Sequence, residues 1–119
     1  MATAVKRLLS ESDGGIPINI TTSGTPGNAI HTATSSTTDG AYDEVWIWAQ
    51  NNDANNDIDL TVEFGDSVVS SNITVAIPSR AGLVPIIPGL PLQDGATVSA
   101  FATIASGISL VGFINAITD

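Results

Sequence analysis

Apolar and polar residues alternate in short runs along this chain, and a period of two is the pattern of a β-strand that buries one face. Residues 57–65 show this pattern most clearly. The side chains predicted to face inward are Ile58, Leu60, Val62 and Phe64, and those predicted to face outward are Asp59, Thr61 and Glu63. Because this alternation does not match the 3.6-residue repeat of a helix, the run predicts a strand.

Similar runs recur along the chain, separated by clusters of Ser, Thr, Asn, Gly and Asp that favour turns. We count about eight or nine such strands, and no segment has a helical period. A chain of 119 residues has the size of one domain. The sequence therefore predicts a single all-β domain, 1–119, folded as an antiparallel, jelly-roll-like β-sandwich.

Three local connections are predicted from loop lengths and turn residues. The runs 42–50 and 57–65 resemble a hairpin closed by a polar loop of about five to seven residues. The runs 97–105 and 108–117 are predicted to form the last pair of strands. Residues 93–95, Gln-Asp-Gly, have the composition of a hairpin-type turn.

The strand predicted at 42–50 is apolar on both faces. One face carries Val45, Ile47 and Ala49, and the other carries Trp46 and Trp48 beside Glu44. Such a strand needs a cover on each side. Two interpretations of the indoles stay open: exposed rings would form a stacking platform for sugar rings, whereas buried rings would be core residues or anchors of a subunit interface.

Residues 83–92 are too apolar for an isolated loop, and they carry a proline at every third position: Pro85, Pro88 and Pro91. Proline lacks the N–H group that a central strand requires, so the segment is predicted to be extended and exposed, or to face an interface. Contiguous exposed apolar surface usually marks an interaction site. We therefore predict subunit contacts through Trp46, Trp48, Ile86, Ile87, Leu90 and Leu92.

Charge and reactive side chains argue against several classes of function. Three basic residues against twelve acidic ones, with a net charge of −9, argue against nucleic-acid binding, which needs clustered cations. The chain has no cysteine, and His31, its single histidine, has no partner close in sequence for a metal site or catalytic dyad. Asp43 and Glu44 are adjacent on a strand and point to opposite faces. We expect neither enzyme activity nor a cofactor or metal.

The acidic stretch that begins at Asp53 could supply oxygen ligands for calcium. Its spacing differs from that of the helix–loop–helix calcium motif, and a solvated loop fits Asp53 and Asp57 better. No apolar run reaches the roughly 18–20 residues that span a membrane, so we expect no membrane partner. The first residues lack the apolar core of a secretory signal.

Lys6 and Arg7 are two of the three basic residues, and they precede a break at Ser12–Gly15. Three alternatives stay open for residues 1–12: an N-terminal arm that docks on a neighbouring molecule, an ordinary first strand, or a frayed end.

The order of these segments resembles that of the small head decoration, or cement, proteins of tailed double-stranded DNA bacteriophages. The resemblance spans nearly the whole chain, and its segments carry no catalytic motif. They are residues 5–10 (VKRLLS), 25–27 (TPG) with 30–33 (IHTA), 42–49 (YDEVWIWA), 60–65 (LTVEFG), 84–92 (VPIIPGLPL) and 111–115 (VGFIN).

This resemblance implies a homotrimer that is made in the host cytoplasm and binds the major capsid protein on the outer surface of the virion. There it would hold neighbouring capsid subunits together, at or near threefold axes, against the pressure of packaged DNA. We predict docking through Val5, Lys6, Arg7 and Leu8 of the N-terminal segment. The alternatives are a carbohydrate-binding module, or a tail or fibre component, that uses Trp46 and Trp48 as a sugar platform.

Overall fold

A computed structural model describes residues 2–118 as nine β-strands with one short 3-10 turn at Val69–Ser71, and this part of the chain contains no α-helix. The predicted all-β fold and the number of strands are confirmed. The strands are β1 (Thr3–Leu8), β2 (Ile18–Ile20), β3 (Asn28–Thr32), β4 (Tyr42–Asn51), β5 (Ile58–Gly65), β6 (Asn72–Ile77), β7 (Val84–Leu92), β8 (Thr97–Ala102) and β9 (Ile108–Thr118).

The strands form two antiparallel sheets that pack face to face as a sandwich. The five-stranded sheet has the order β1-β9-β4-β7, with β2 also paired to β9, and the four-stranded sheet has the order β3-β8-β5-β6. Branched aliphatic residues from both sheets fill the space between them, because alternation points one face of each strand inward. The largest buried apolar side chains are Leu9, Ile20, Ile30, Ile47, Ile58, Leu60, Ile77, Ile87, Ile108, Leu110 and Ile114.

The strand pairing is nested along the chain. β1 and β2 pair with different parts of β9, β3 pairs with β8, β4 with β7, and β5 with β6. The chain therefore resembles one long two-stranded ribbon with the β5–β6 hairpin at its tip. Further pairing of β4 with β9 and of β5 with β8 wraps this ribbon into two sheets. This is the jelly-roll arrangement, as predicted.

Two hairpins predicted from local sequence are wrong. β4 and β5 lie in different sheets, and so do β8 and β9. The turn at 93–95 does form, with positive φ at Asp94 and Gly95, but it also connects the two sheets because it joins β7 to β8. A loop of a few residues spans the roughly 10 Å between packed sheets as readily as it closes a hairpin, so loop length does not distinguish the two.

The connections between the sheets run side by side and are hydrogen-bonded to one another. The loop after β4 lies beside the loop after β6, and Ser79 Oγ donates to the carbonyl of Asp53 at 2.6 Å. Asn51 Nδ2 donates to the carbonyls of Asn56 and Ile77, both at 2.9 Å. These bonds satisfy backbone carbonyls where the ladders end, which stabilises each crossing.

The alternation predicted for 57–65 is confirmed on the core side: Ile58, Leu60 and Val62 are buried, and Phe64 packs against the core. On the opposite side, Asp59 is exposed as expected, but Thr61 is 8% exposed and Glu63 is fully buried, although we expected exposed side chains at both. Residues 25–27 cover Glu63. Its carboxylate accepts hydrogen bonds from Thr25 Oγ1, from the N–H of Gly27 at 2.7 Å and from Ser99 Oγ at 2.7 Å.

These hydrogen bonds determine the charge state of Glu63. Desolvation by burial acts to raise the pKa of the carboxyl group, but the bonds from Thr25, Gly27 and Ser99 together outweigh it, so the net pKa is lowered from 4.5. Glu63 is therefore a buried anion that fixes the 25–27 segment against the outer side of the four-stranded sheet.

We predict that Glu63→Gln lowers the free energy of unfolding by about 2 kcal/mol at neutral pH, because charge-assisted acceptors are lost and the amide N–H groups face donors. Since the folded pKa lies below the unfolded value, the carboxylate stabilises the fold above the unfolded pKa. That contribution is lost as pH falls through the folded pKa. Urea unfolding near neutral pH and in acid measures both effects.

The matched control is Asp59→Asn, an exposed position on the same side of β5. We expect it to change stability by less than about 0.5 kcal/mol. Equal stability of the two variants at neutral pH would contradict the role given to Glu63.

Candidate functional site: an aromatic face on the five-stranded sheet

Three aromatic rings cluster on the outer face of the five-stranded sheet. Trp46 and Trp48 point outward from β4, and the β9 residues opposite them are Phe113 and Val111. The ring centroids of Trp46 and Trp48 lie 6.3 Å apart, with planes inclined at 17°. Phe113 lies 6.1 Å from Trp46 and 5.9 Å from Trp48. The prediction that both indoles share one face, opposite the core residues of β4, is confirmed.

Polar groups frame the rings and hold them in place. Trp46 Nε1 donates to Glu44 Oε1 at 2.7 Å, and Asn115 Nδ2 donates to the same oxygen at 3.0 Å. The bond from Asn115, followed by the bond from Trp46, holds the pKa of Glu44 below its usual value. Lys6 of β1 lies across Asn115 from Glu44, and its Nζ is 4.5 Å from the centroid of Phe113, a cation–π contact. An anion and a cation therefore lie at the same end of a half-buried aromatic array.

Prolines of β7 extend this surface. In the β4–β7 register, Pro85, Pro88 and Pro91 lie opposite Trp48, Trp46 and Glu44. The prolines are three residues apart in β7, whereas the β4 residues opposite them are two apart. Two β-bulges account for the difference, because Ile86 and Gly89 are extra residues of β7 with no partner in β4. All three prolines are exposed, and β7 lies at the sheet edge, where proline is tolerated.

We define the aromatic face as the outward side chains of the five-stranded sheet that surround these rings. Its members are Lys6, Leu8, Glu44, Trp46, Trp48, Pro85, Pro88, Pro91, Val111, Phe113 and Asn115.

Two residues of the predicted subunit interface are buried in the core. Ile86 and Ile87 are 8% and 2% exposed and pack in the core, so they offer no surface to a second subunit, and that part of the prediction is wrong. The bulges of β7 change which residues face inward. Leu90 is 37% exposed and Leu92 is half-buried, so both remain predicted contacts.

The N-terminal segment forms a strand paired to β9 over Thr3–Leu8, and all six side chains are exposed. Lys6 and Leu8 lie on the aromatic face, whereas Val5 and Arg7 lie on the opposite side of the sheet. Arg7 lines a cleft of about 430 Å³ near His31 and Asp43. The four predicted docking residues are therefore accessible but divided between two faces.

His31 has a partner that its sequence context did not reveal. Its side chain is 5% exposed, and Nε2 lies 2.7 Å from Asp43 Oδ2 across the two sheets. Ser10 is also close, so the residue types of a serine hydrolase meet here. However, the backbone N–H of Ser10 donates to His31 Nδ1 at 2.9 Å, and the Ser10 hydroxyl accepts from the N–H of Thr32. In this arrangement, the imidazole is not positioned as a base for the Ser10 hydroxyl.

Asp53 lies in the loop after β4, where its carboxylate holds the backbone. Its Oδ1 accepts hydrogen bonds from the N–H groups of Asn55 and Asn56 at 2.8 and 3.0 Å. Asp57 Oδ1 accepts from the N–H of Ser79 at 3.1 Å. Residues 2–118 contain no group of three or more His, Cys, Asp or Glu side chains arranged to hold a metal ion.

Comparison with family models, curated proteins and solved structures finds no match to this chain. Within the described residues, no helix is long and apolar enough to cross a membrane.

Gly89 of β7 packs directly against the indole of Trp46, and a side chain at this position would not fit. This glycine has φ +75°, and a Cβ atom there would lie 2.6 Å from Cζ2 of Trp46. Gly82 has a similar φ of +77°, but its Cβ would meet nothing within 4 Å. We predict that Gly82→Ala costs about 1–2 kcal/mol from backbone strain alone, and that Gly89→Ala costs at least about 1 kcal/mol more because Trp46 must move.

Unfolding free energies and tryptophan emission measure this difference. Only Gly89→Ala should shift the emission maximum of the folded protein. Equal effects of the two substitutions on stability and emission would show that Trp46 does not rest on Gly89.

Proposed function

We propose that this protein is a structural virion protein that decorates a bacteriophage head. It assembles as a trimer and binds the lattice of the major capsid protein. The observation that carries the proposal is the aromatic face, which joins three rings and three prolines on one side of a rigid sheet. The resemblance of the sequence to head decoration proteins and the jelly-roll fold both support it. Four groups that could carry out chemistry, His31, Asp43, Glu44 and Glu63, are engaged in hydrogen bonds within the fold.

The aromatic face has the composition of a protein interface. Trp is enriched among residues that dominate binding energy, and rigid rings lose little conformational freedom when they are covered. In the monomer, Trp46 and Trp48 remain partly exposed although they stack on Phe113. A second subunit packed on this face would complete their burial. Leu90 and Leu92 of β7 lie opposite Val45 and Asp43, on the core side of the sheet, so a subunit contact through them would use a surface other than the aromatic face.

Glu44 and Lys6 lie on either side of Asn115 at one end of this face, so a second copy can pair its cation with this anion. The aromatic face therefore supplies complementary charges as well as apolar area. A decoration protein of this kind acts by mass action, since many identical weak contacts favour the assembled shell over its separate subunits.

We predict that Trp48→Asp raises the dissociation constant of the trimer by more than about tenfold, because the substitution places an unpaired charge in an apolar contact. Light scattering over a range of concentrations should give three times the chain mass for the wild type and one times that mass for the variant. The matched control is Val69→Asp at the β5–β6 turn, where the side chain is 79% exposed and remote from the aromatic face. We expect it to leave the trimer intact. A wild-type monomer at every concentration would contradict the proposed assembly.

Docking on the shell is proposed to use β1, where Arg7 lies on the side of the sheet opposite the aromatic face. We predict that Arg7→Glu weakens binding to undecorated capsids by at least about tenfold, because a cation near the contact becomes an anion. Arg80→Glu makes the same change in charge at the third basic residue, in the loop after β6, and should bind like the wild type. Co-sedimentation of each protein with capsids measures the bound fraction. Equal binding by both variants would remove β1 from the docking surface.

A carbohydrate-binding function is the second candidate, favoured by the hydrogen-bonded Glu44 and Asn115 beside the rings. Stacking rings with fixed polar groups at their edge suit a sugar ring and its hydroxyls. Tryptophan emission separates the candidates: a blue shift on self-association indicates the subunit interface, whereas a shift on addition of oligosaccharide to a monomer indicates the sugar platform.

A further inference from the structure

The side chain of His31 links three parts of the fold by hydrogen bonds. His31 lies on β3 of the four-stranded sheet, and its Nε2 is 2.7 Å from Oδ2 of Asp43 on β4 of the five-stranded sheet. Its Nδ1 accepts the N–H of Ser10, from the segment that follows β1, at 2.9 Å. Because Nδ1 accepts a hydrogen bond, it carries no proton. The ring is therefore neutral, with its proton on Nε2 and donated to Asp43.

Ser10 belongs to a short anchor segment, residues 9–12, that fastens β1 to the sandwich. Leu9 is 1% exposed and packs in the core. The N–H of Thr32 donates to Ser10 Oγ at 2.7 Å, and the N–H of Glu11 donates to the carbonyl of Ile30 at 3.2 Å. Of these hydrogen bonds of the anchor segment, the one from the N–H of Ser10 to Nδ1 of His31 has a titratable acceptor.

Protonation of His31 would place a second donor opposite the N–H of Ser10. Two donors cannot share a hydrogen bond, so Ser10 must move away while the imidazolium keeps its partner Asp43. Among the described residues that line this cleft, the charged groups are Asp43, which favours the imidazolium, and Arg7, which opposes it. The acidic residues of the adjoining segments, Glu11 and Asp39, are exposed. The loss of this bond weakens the anchor segment, while the two sheets keep their own ladders.

We propose that His31 is a pH-sensitive latch: in its neutral form it holds the anchor segment, and in its protonated form it releases that segment and loosens β1. Imidazole is the side chain that ordinarily changes charge between about pH 5 and 8, so the test spans that range. This inference concerns the isolated chain and does not rest on the proposed function, although β1 carries the predicted docking residues.

Amide hydrogen exchange followed by NMR tests the latch in the full chain. Protection factors are measured near pH 7.5 and near pH 5, after correction for intrinsic exchange, and the His31 ring is titrated in parallel. We expect the protection of the Ser10 and β1 amides to fall about tenfold more than that of β4 amides, which corresponds to the loss of one hydrogen bond. An unchanged ratio of β1 to β4 protection would overturn the proposal. So would a ring that stays neutral at the lower pH, or unfolding of the whole chain there.

Two substitutions separate the roles of the ring nitrogens. His31→Asn keeps an acceptor where Nδ1 lies but does not titrate, so β1 should stay protected at both pH values. His31→Gln reaches towards Asp43 and leaves Ser10 without its acceptor, so β1 should be weakly protected at both pH values. If folded His31→Asn protein retains the full pH dependence, another group is the switch.

Discussion

The pairing of β4 with β9 is the interaction on which the rest of this structure depends. Ten residues of β4 lie opposite ten of β9, from Tyr42 with Ile117 to Asn51 with Ile108. The ladder requires a close approach at Gly112, where a Cβ atom would lie 2.0 Å from the carbonyl oxygen of Trp46. Because successive side chains alternate between faces, this ladder forms the middle of the core on one side and brings Phe113 to the indoles on the other.

The polar groups of the molecule are used mainly to fix backbone and rings. Glu63 holds a covering segment, Asp53 closes a loop, Glu44 orients an indole, and Asp43 joins the two sheets through His31. The aromatic face, by contrast, is rigid and only partly covered. The function proposed above, in which the protein presents a surface, draws on this contrast.

The sequence was sufficient to predict features that depend on local patterns, and insufficient for those that depend on distant contacts. Alternation identified the strands and the side of β4 on which Trp46 and Trp48 lie. It did not identify strand partners, since β4 meets β7 and β9 and not the next strand, β5. Ile86 and Ile87 were assigned to the wrong environment because two bulges break the period of two in β7. The contact between His31 and Asp43 was missed because it joins opposite sheets.

The three prolines of β7 also limit how copies of this protein can meet. A strand at the edge of a sheet ordinarily offers backbone donors to a strand of another molecule, which is a route to open-ended fibres. Each proline removes one N–H from β7 and fixes its φ angle, so a further strand cannot form a continuous ladder along this edge. Contacts on this side must therefore be made by side chains across a surface. Such contacts do not extend the sheet from one molecule to the next, so this edge gives no route to a fibre built on a continuous β-ladder.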